Sequence, residues 1–164
     1  DEFAYRNFFY SLQEKSIYYR FFHKMKIFSH EVVQRHWASV DYRKNMSLIG
    51  LVQHGGHKEI MAIGSYAQAE AGRAEVAFVV REDFQGMGVA SDLLKKLQQI
   101  AAENDYTGFS ATVLSENTAM IHVFKKRYPN ARLHREDGGE ITVLMDFTDA
   151  VEPPPAQEDV CVCR

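Results

Sequence analysis

The stretch Val79–Ser91, VVREDFQGMGVAS, decides how this chain is read. It joins an apolar strand end to a loop with two glycines, and the loop runs into small residues that open a helix. The first N–H groups of a helix have no intrahelical partner, and with the helix dipole they form an anion site. Gly86 and Gly88 let the backbone approach a bulky phosphate closely, while Ala90 and Ser91 keep the first turn unobstructed. The spacing predicts a pyrophosphate cradle that needs no lysine. A Walker loop would end in Gly-Lys-Ser/Thr, which is absent here. A dinucleotide fingerprint needs a third glycine within a βαβ unit, and GMGVAS supplies only two. The glycines alone fit a plain turn capping a helix equally well.

Working outward, AEVAFVV (Ala74–Val80) precedes the loop as a strand, and an amphipathic helix follows from about Ala90 to Asn104. Leu93, Leu94, Leu97, Ile100 and Ala101 share one face of that helix. Upstream, Met46–Gln53 and Glu59–Gln68 are β-leaning runs split by Gly55-Gly56, a hairpin signal. His54 and His57 flank that turn, where two solvent-facing histidines with no third ligand make a poor metal site. The first 40 residues read as helices. Ser11 and Glu14 have capping-box spacing ahead of Ile17, Tyr18, Phe21 and Phe22, and a second helix after Ser29 carries Val32, Val33 and Trp37. Downstream, Gly108–Leu114 reads as a strand and a helix opens near Asn117, bearing Met120, Ile121 and Phe124. Two strands, Arg132–His134 and Ile141–Phe147, close the chain around Gly138-Gly139. The order predicts a single α/β (α+β) domain with a mostly antiparallel first half.

Composition bounds the function. The chain has 164 residues, 46% apolar and 25% charged, enough for one ordinary globular domain. No apolar run is long enough to cross a bilayer as a helix. A net charge of −3 argues against broad phosphate neutralisation on nucleic acid. Both cysteines, Cys161 and Cys163, lie in the last four positions, so no disulfide staples the body, as in a cytoplasmic protein. Residues 149–164, with three prolines in a row and scattered acids, read as a flexible tail behind a domain spanning 1–148.

QGMGVA resembles the Q/R-x-x-G-x-G/A signature of the GNAT (GCN5-related) N-acetyltransferases, with Gln85, Gly88 and Ala90 at the signature positions. The flanking strand, the following helix and Asn117 fall in the family's order, and the likeness runs from Phe3 to Phe147. SLQEKSIYYRFF (11–22) and DYRKNMSLIGLV (41–52) resemble more narrowly the bacterial protein lysine acetyltransferases. There such a domain is often attached to an acyl-CoA synthetase or a CoA-transferase-like enzyme.

The resemblance implies the GNAT fold, a mixed, mostly antiparallel sheet flanked by helices, and acetyl-CoA as co-substrate without a metal. The pantetheine arm is expected along Phe78, Val79 and Val80, and the pyrophosphate on Gln85, Gly86, Met87, Gly88, Val89, Ala90 and Ser91. Asn117 is expected to hydrogen-bond the cofactor chain or to act as a helix N-cap, and Phe124 to face the cofactor. Glu75 matches the position of a catalytic glutamate in the lysine acetyltransferases; otherwise it is an exposed strand glutamate. The apolar residues Val76, Phe78 and Val80 on its strand suggest a desolvated carboxylate, and the oxyanion is expected on the N–H of Val79 or Val80.

Two departures stand out. Many members place a proton-donating tyrosine seven residues after the asparagine, where this chain has Phe124, with His122 and Tyr128 nearby. The family opens with a β-strand ending in an Asp-Glu-like element, and the resemblance implies that Asp1-Glu2 falls just after it, so that this strand is expected to lie outside this sequence. The front aromatics, Tyr18, Tyr19, Phe21, Phe22, Phe28 and Trp37, read either as core or as an acceptor-docking wall. Lys95, Lys96, Lys125, Lys126 and Arg127 are candidates for the 3′-phosphate of the cofactor or simply a solvated helix face. The expected activity is acetyl transfer to a lysine of a protein acceptor such as an acyl-CoA synthetase, within a larger multidomain chain and without nucleic acid or membrane. The alternatives are a small-amine acetyltransferase and a non-catalytic acyl-CoA sensor.

Overall fold

In α1 (Glu2–Ser11), Tyr5, Phe8, Phe9 and the following Leu12 recur at i, i+3, i+4 and i+7, and all four are buried. The computed structural model describes residues 2–22 and 43–152 of the chain. Ser11 closes this helix, its Oγ donating to Phe8 O at 2.6 Å, so the expected capping pair of Ser11 and Glu14 does not form. Instead Gln13 precedes α2 (Glu14–Phe21) with no side-chain cap, and Phe22 ends that helix in the left-handed region.

β1 (Asn45–His54) and β2 (His57–Gln68) form the hairpin. Gly55 and Gly56 hold φ of 54° and 85°, which a two-residue primed turn requires. His54 and His57 face each other across it, both exposed. β3 (Arg73–Val80) continues the antiparallel meander. A single 3₁₀ turn, Glu82–Phe84, leads to α3 (Val89–Glu103), which buries Leu93, Leu94, Leu97 and Ala101. β4 (Gly108–Leu114), α4 (Thr118–Arg127), β5 (Arg132–Arg135) and β6 (Glu140–Asp146) complete the body. Phe147, read from sequence as the end of the last strand, starts a second 3₁₀ turn, Phe147–Asp149.

The six strands lie in the order β1-β2-β3-β4-β6-β5, with only β3 and β4 parallel. Side chains alternate across a strand, so each face has its own core. On one face, Val76, Phe78, Val80, Phe109, Ala111 and Val113 pack with α3 and α4. On the other, Ile60, Ile63 and Val79 pack with α1 and α2. Contacts continue past Asp149: Val151 N–H donates to Arg127 O, and Lys95 pairs with Glu152 at 2.7 Å. The helix expected after Ser29, Phe28 and Trp37, the remaining tail and both cysteines lie outside the described residues. Among the described residues no helix is long and apolar enough to cross a membrane.

Candidate active site

β3 and β4 pair only at Arg73↔Gly108, Ala74↔Phe109 and Glu75↔Ser110. Beyond Glu75 the two strands diverge, leaving a wedge whose β3 side is main chain without a strand partner. Arg81 N–H donates to Met61 O and Ala69 N–H to Arg73 O, each at 2.9 Å, so the odd-numbered residues of β3 turn their main-chain groups toward β2. Antiparallel pairing alternates. Phe78 and Val80 therefore direct theirs into the wedge, whereas the N–H of Val79 faces β2. That removes Val79 from the two expected oxyanion donors and leaves Val80.

The wedge opens into a cleft of about 520 Å³, within the range of small-molecule sites. Phe78, Val79, Val80, Gln85, Gly86, Gly88, Val89, Ala90, Ser91 and Asn117 line it. Gly86 and Gly88 have φ of 75° and 84°, and a Cβ at either would meet no protein atom within 4 Å. The loop thus presents open backbone to the cleft. Gly88 is the N-cap of α3 and offers no side-chain cap, so the first-turn N–H groups remain for an anion.

Gln85 braces this loop. Its Nε2 donates to Val80 O at 2.9 Å and to Ser16 Oγ at 3.2 Å, while Gln13 N–H donates to Glu82 Oε1 at 2.9 Å. The turn between α1 and α2 is thereby tied to the glycine loop, and Gln13, Lys15, Ser16 and Tyr19 form a wall of the cleft. Sequence reasoning missed Gln13, Lys15, Ser16 and Glu82, because links spanning 69 residues leave no local signal. Tyr19 meets the cleft and Tyr18 does not, and Lys15 lies 5.4 Å from the Tyr19 ring centre.

Asn117 forms the expected helix cap and faces the cleft. Its Oδ1 accepts from Met120 N–H at 3.3 Å as the N-cap of α4, and the residue lines the cleft. One expected cofactor contact is corrected: Phe124 is 1% exposed, packed against Phe78 with ring centres 6.2 Å apart, and does not line the cleft. The Met87 side chain is 70% exposed and lies outside the cleft lining, in the loop whose main chain is the expected phosphate contact. Tyr128 is fully buried, its hydroxyl donating to Gln98 Oε1 at 2.7 Å, and burial pushes its phenol up to about 12. His122 and Lys126 do reach the cleft, whereas Arg127 is buried against Gln98 and Lys95 is paired with Glu152.

Glu75 stands at the apex of the wedge. It is exposed rather than desolvated. The apolar residues thought to bury it, Val76, Phe78 and Val80, point to the α3–α4 face, one position out of phase with it. Thr112 Oγ1 donates to Glu75 Oε1 at 3.3 Å. Arg20 of α2 lies near enough to be attracted to Glu75. Burial lowers the Arg20 guanidinium from its ordinary value, and attraction to the ionised forms of Tyr5 and Glu75 opposes that shift.

The Acetyltransferase (GNAT) family matches residues 7–128, well over half of the chain. The chain belongs to the GNAT acetyltransferase family. It is 27% identical over 116 residues to Acetyltransferase PA5475 of Pseudomonas aeruginosa, covering 70% of this chain and 62% of that protein. It thus spans a little under two thirds of that relative's length. The GNAT domain of S. lividans PAT is 31% identical, with a TM-score of 0.73 over 88% of this chain and 85% of that one. The structure of yncA from Salmonella typhimurium, solved with its cofactor acetyl-CoA, has a TM-score of 0.65 over 95% of each chain. At 14% identity that likeness is one of fold.

Proposed function

We propose that this chain transfers an acetyl group from acetyl-CoA to a lysine side chain of a protein acceptor, with Glu75 as the general base. The observation that carries the proposal is the wedge itself. Glu75 marks its closed end, and the open main chain of Phe78 and Val80 leads from there to the exposed N–H groups at the start of α3. Phosphate oxygens suit Gly86 to Ser91, a pantetheine amide suits the Phe78 main chain, and Lys126, which reaches the cleft, suits a further phosphate.

A lysine amine with a pKa near 10.4 is neutral in only about 1 molecule in 2,500 at pH 7, which amounts to roughly 4.6 kcal/mol. Glu75 offsets this by accepting the amine proton directly or through a water. The neutral nitrogen bonds to the thioester carbonyl carbon while the Val80 N–H donates to the developing oxyanion, the nitrogen sheds its second proton to solvent, and the C–S bond breaks as the carbonyl re-forms. Phe124 has no proton to give the departing sulfur, and the Tyr128 hydroxyl is buried with its proton directed at Gln98. The thiolate leaves as such, in keeping with a thiol pKa near 8.5, and solvent reprotonates it.

The resemblance to domains attached to acyl-CoA synthetases selects the acceptor, and a cytoplasmic setting within a longer chain belongs to the same proposal. The test incubates wild type and Glu75→Gln with acetyl-CoA and a lysine-bearing acyl-CoA synthetase. Wild type should acetylate it, and Glu75→Gln should fall at least tenfold, on the order expected for loss of a general base, with acetyl-CoA binding unchanged. Transfer only to a small amine would move the acceptor class. Binding without transfer to any acceptor would point instead to an acyl-CoA sensor.

A further inference from the structure

We infer that Thr112 is a positioning residue for the Glu75 carboxylate, an inference that rests on Glu75 being the base proposed above. Backbone pairing between β3 and β4 stops at Glu75↔Ser110. Side-chain alternation places Thr112, two residues beyond Ser110, on the same face as Ser110 and therefore as Glu75. The neighbours Ala111 and Val113 face the opposite core. The Thr112 Oγ1 to Glu75 Oε1 hydrogen bond is thus a side-chain link across the closed end of the wedge, just past the last backbone pair.

An exposed glutamate on a strand samples several rotamers, and only some would aim its carboxylate into the wedge. Threonine is a suitable anchor because its branched Cβ restricts χ1, so its hydroxyl is itself held in place. From the side of α2, the attraction of Arg20 acts on the same carboxylate. Oε1 is engaged by Thr112, while Oε2 makes no hydrogen bond among the described residues and remains for the acceptor proton. A group misplaced by an ångström loses much of its catalytic worth even when its chemistry is intact.

Thr112→Val preserves shape and β-branching and removes only the hydroxyl. It is measured beside Thr112→Ser, Glu75→Gln and the Thr112→Val/Glu75→Gln double variant, using acetyl-CoA and whichever lysine acceptor wild type acetylates. Thr112→Val should lower kcat about tenfold, with KM for acetyl-CoA and Tm unchanged, and Thr112→Ser should restore kcat to within about twofold of wild type. In the double variant the Thr112 effect should vanish, since no base remains to be positioned. Should Thr112→Val alone fail to fold, the Thr112→Ser comparison and Thr112→Ala take its place. The inference is overturned by wild-type kcat in Thr112→Val while Glu75→Gln is impaired, or by effects that multiply in the double variant. Wild-type kcat in Glu75→Gln, or no transfer by wild type at all, would remove the base reading itself and this inference with it.

Discussion

At Gly88 the backbone turns at φ 84° into a region that side chains rarely adopt, and it does so beside the first unpaired N–H groups of α3. Because a Cβ there meets no protein atom, Gly88→Ala costs the fold only local strain, about 1 kcal/mol. Its larger effect should be on the ligand, whose phosphates would have to share the space. Calorimetry should show acetyl-CoA binding weakened at least about tenfold, well beyond the strain alone; an affinity within about twofold of wild type would detach the pyrophosphate from this loop. Phe124 poses the converse question. With 1% exposure and the Phe78 ring against it, a hydroxyl at this position is buried without a partner. Phe124→Tyr should therefore lower stability by about 1–3 kcal/mol in urea melts and leave kcat no higher. A gain in kcat would mean that the side chain swings to the cleft and that the missing tyrosine limits the wild-type reaction.

α4 shows how one element serves both stability and binding. Asn117 caps it through Oδ1, leaving the amide nitrogen of the same side chain for a ligand. Asn117→Ala should cost about 1 kcal/mol of stability. Asn117→Asp, which keeps a capping oxygen but has no donor, should melt like wild type and bind acetyl-CoA several-fold more weakly. Equal binding in both proteins would reduce Asn117 to its cap. The same distinction explains what the sequence discloses. Strands and α3 are legible to within a residue or two because alternation, the Leu93–Ala101 stripe and the glycine turns are local signals. The glycine loop is legible for the same reason. Ser11 misleads because an oxygen near a helix boundary can close the helix behind it as readily as cap the one ahead. Glu75 misleads about burial because apolar neighbours in sequence occupy the other face of its strand. Its partners Thr112 and Arg20 sit 37 and 55 positions away, and only the divergence of β3 from β4 gives those distances meaning.

Across the whole molecule, two separate cores share one sheet, and between them they bury tyrosines whose ionisation they resist, Tyr5 and Tyr128 most strongly. Tyr5, 6% exposed between α1 and the sheet, is pushed up to about 12 by burial, with Arg20 opposing the shift. Tyr128, fully buried on the α3–α4 side, is likewise pushed to about 12 by burial, with Arg127 opposing. An unfolded tyrosine ionises near 10. Between pH 10 and 12 the unfolded chain therefore sheds these two protons while the folded chain retains them. The advantage of the folded state is complete below pH 10 and disappears as pH climbs to about 12, at up to roughly 3 kcal/mol per tyrosine. Urea midpoints at pH 9, 10.5 and 11.5 should fall in step. Tyr5→Phe and Tyr128→Phe should each flatten part of that decline, because phenylalanine has nothing to ionise. Absorbance at 295 nm on the native protein should show Tyr5 and Tyr128, together with Tyr66, which burial also shifts upward, titrating later than the exposed tyrosines. If the decline is the same in wild type and in both variants, alkaline unfolding starts elsewhere, with lysines as the next groups to replace. If only one variant flattens the curve, the two faces of the sheet do not fail together, and the helix pair that ties to the glycine loop through Gln13 and Ser16 is the one to test first for independent opening.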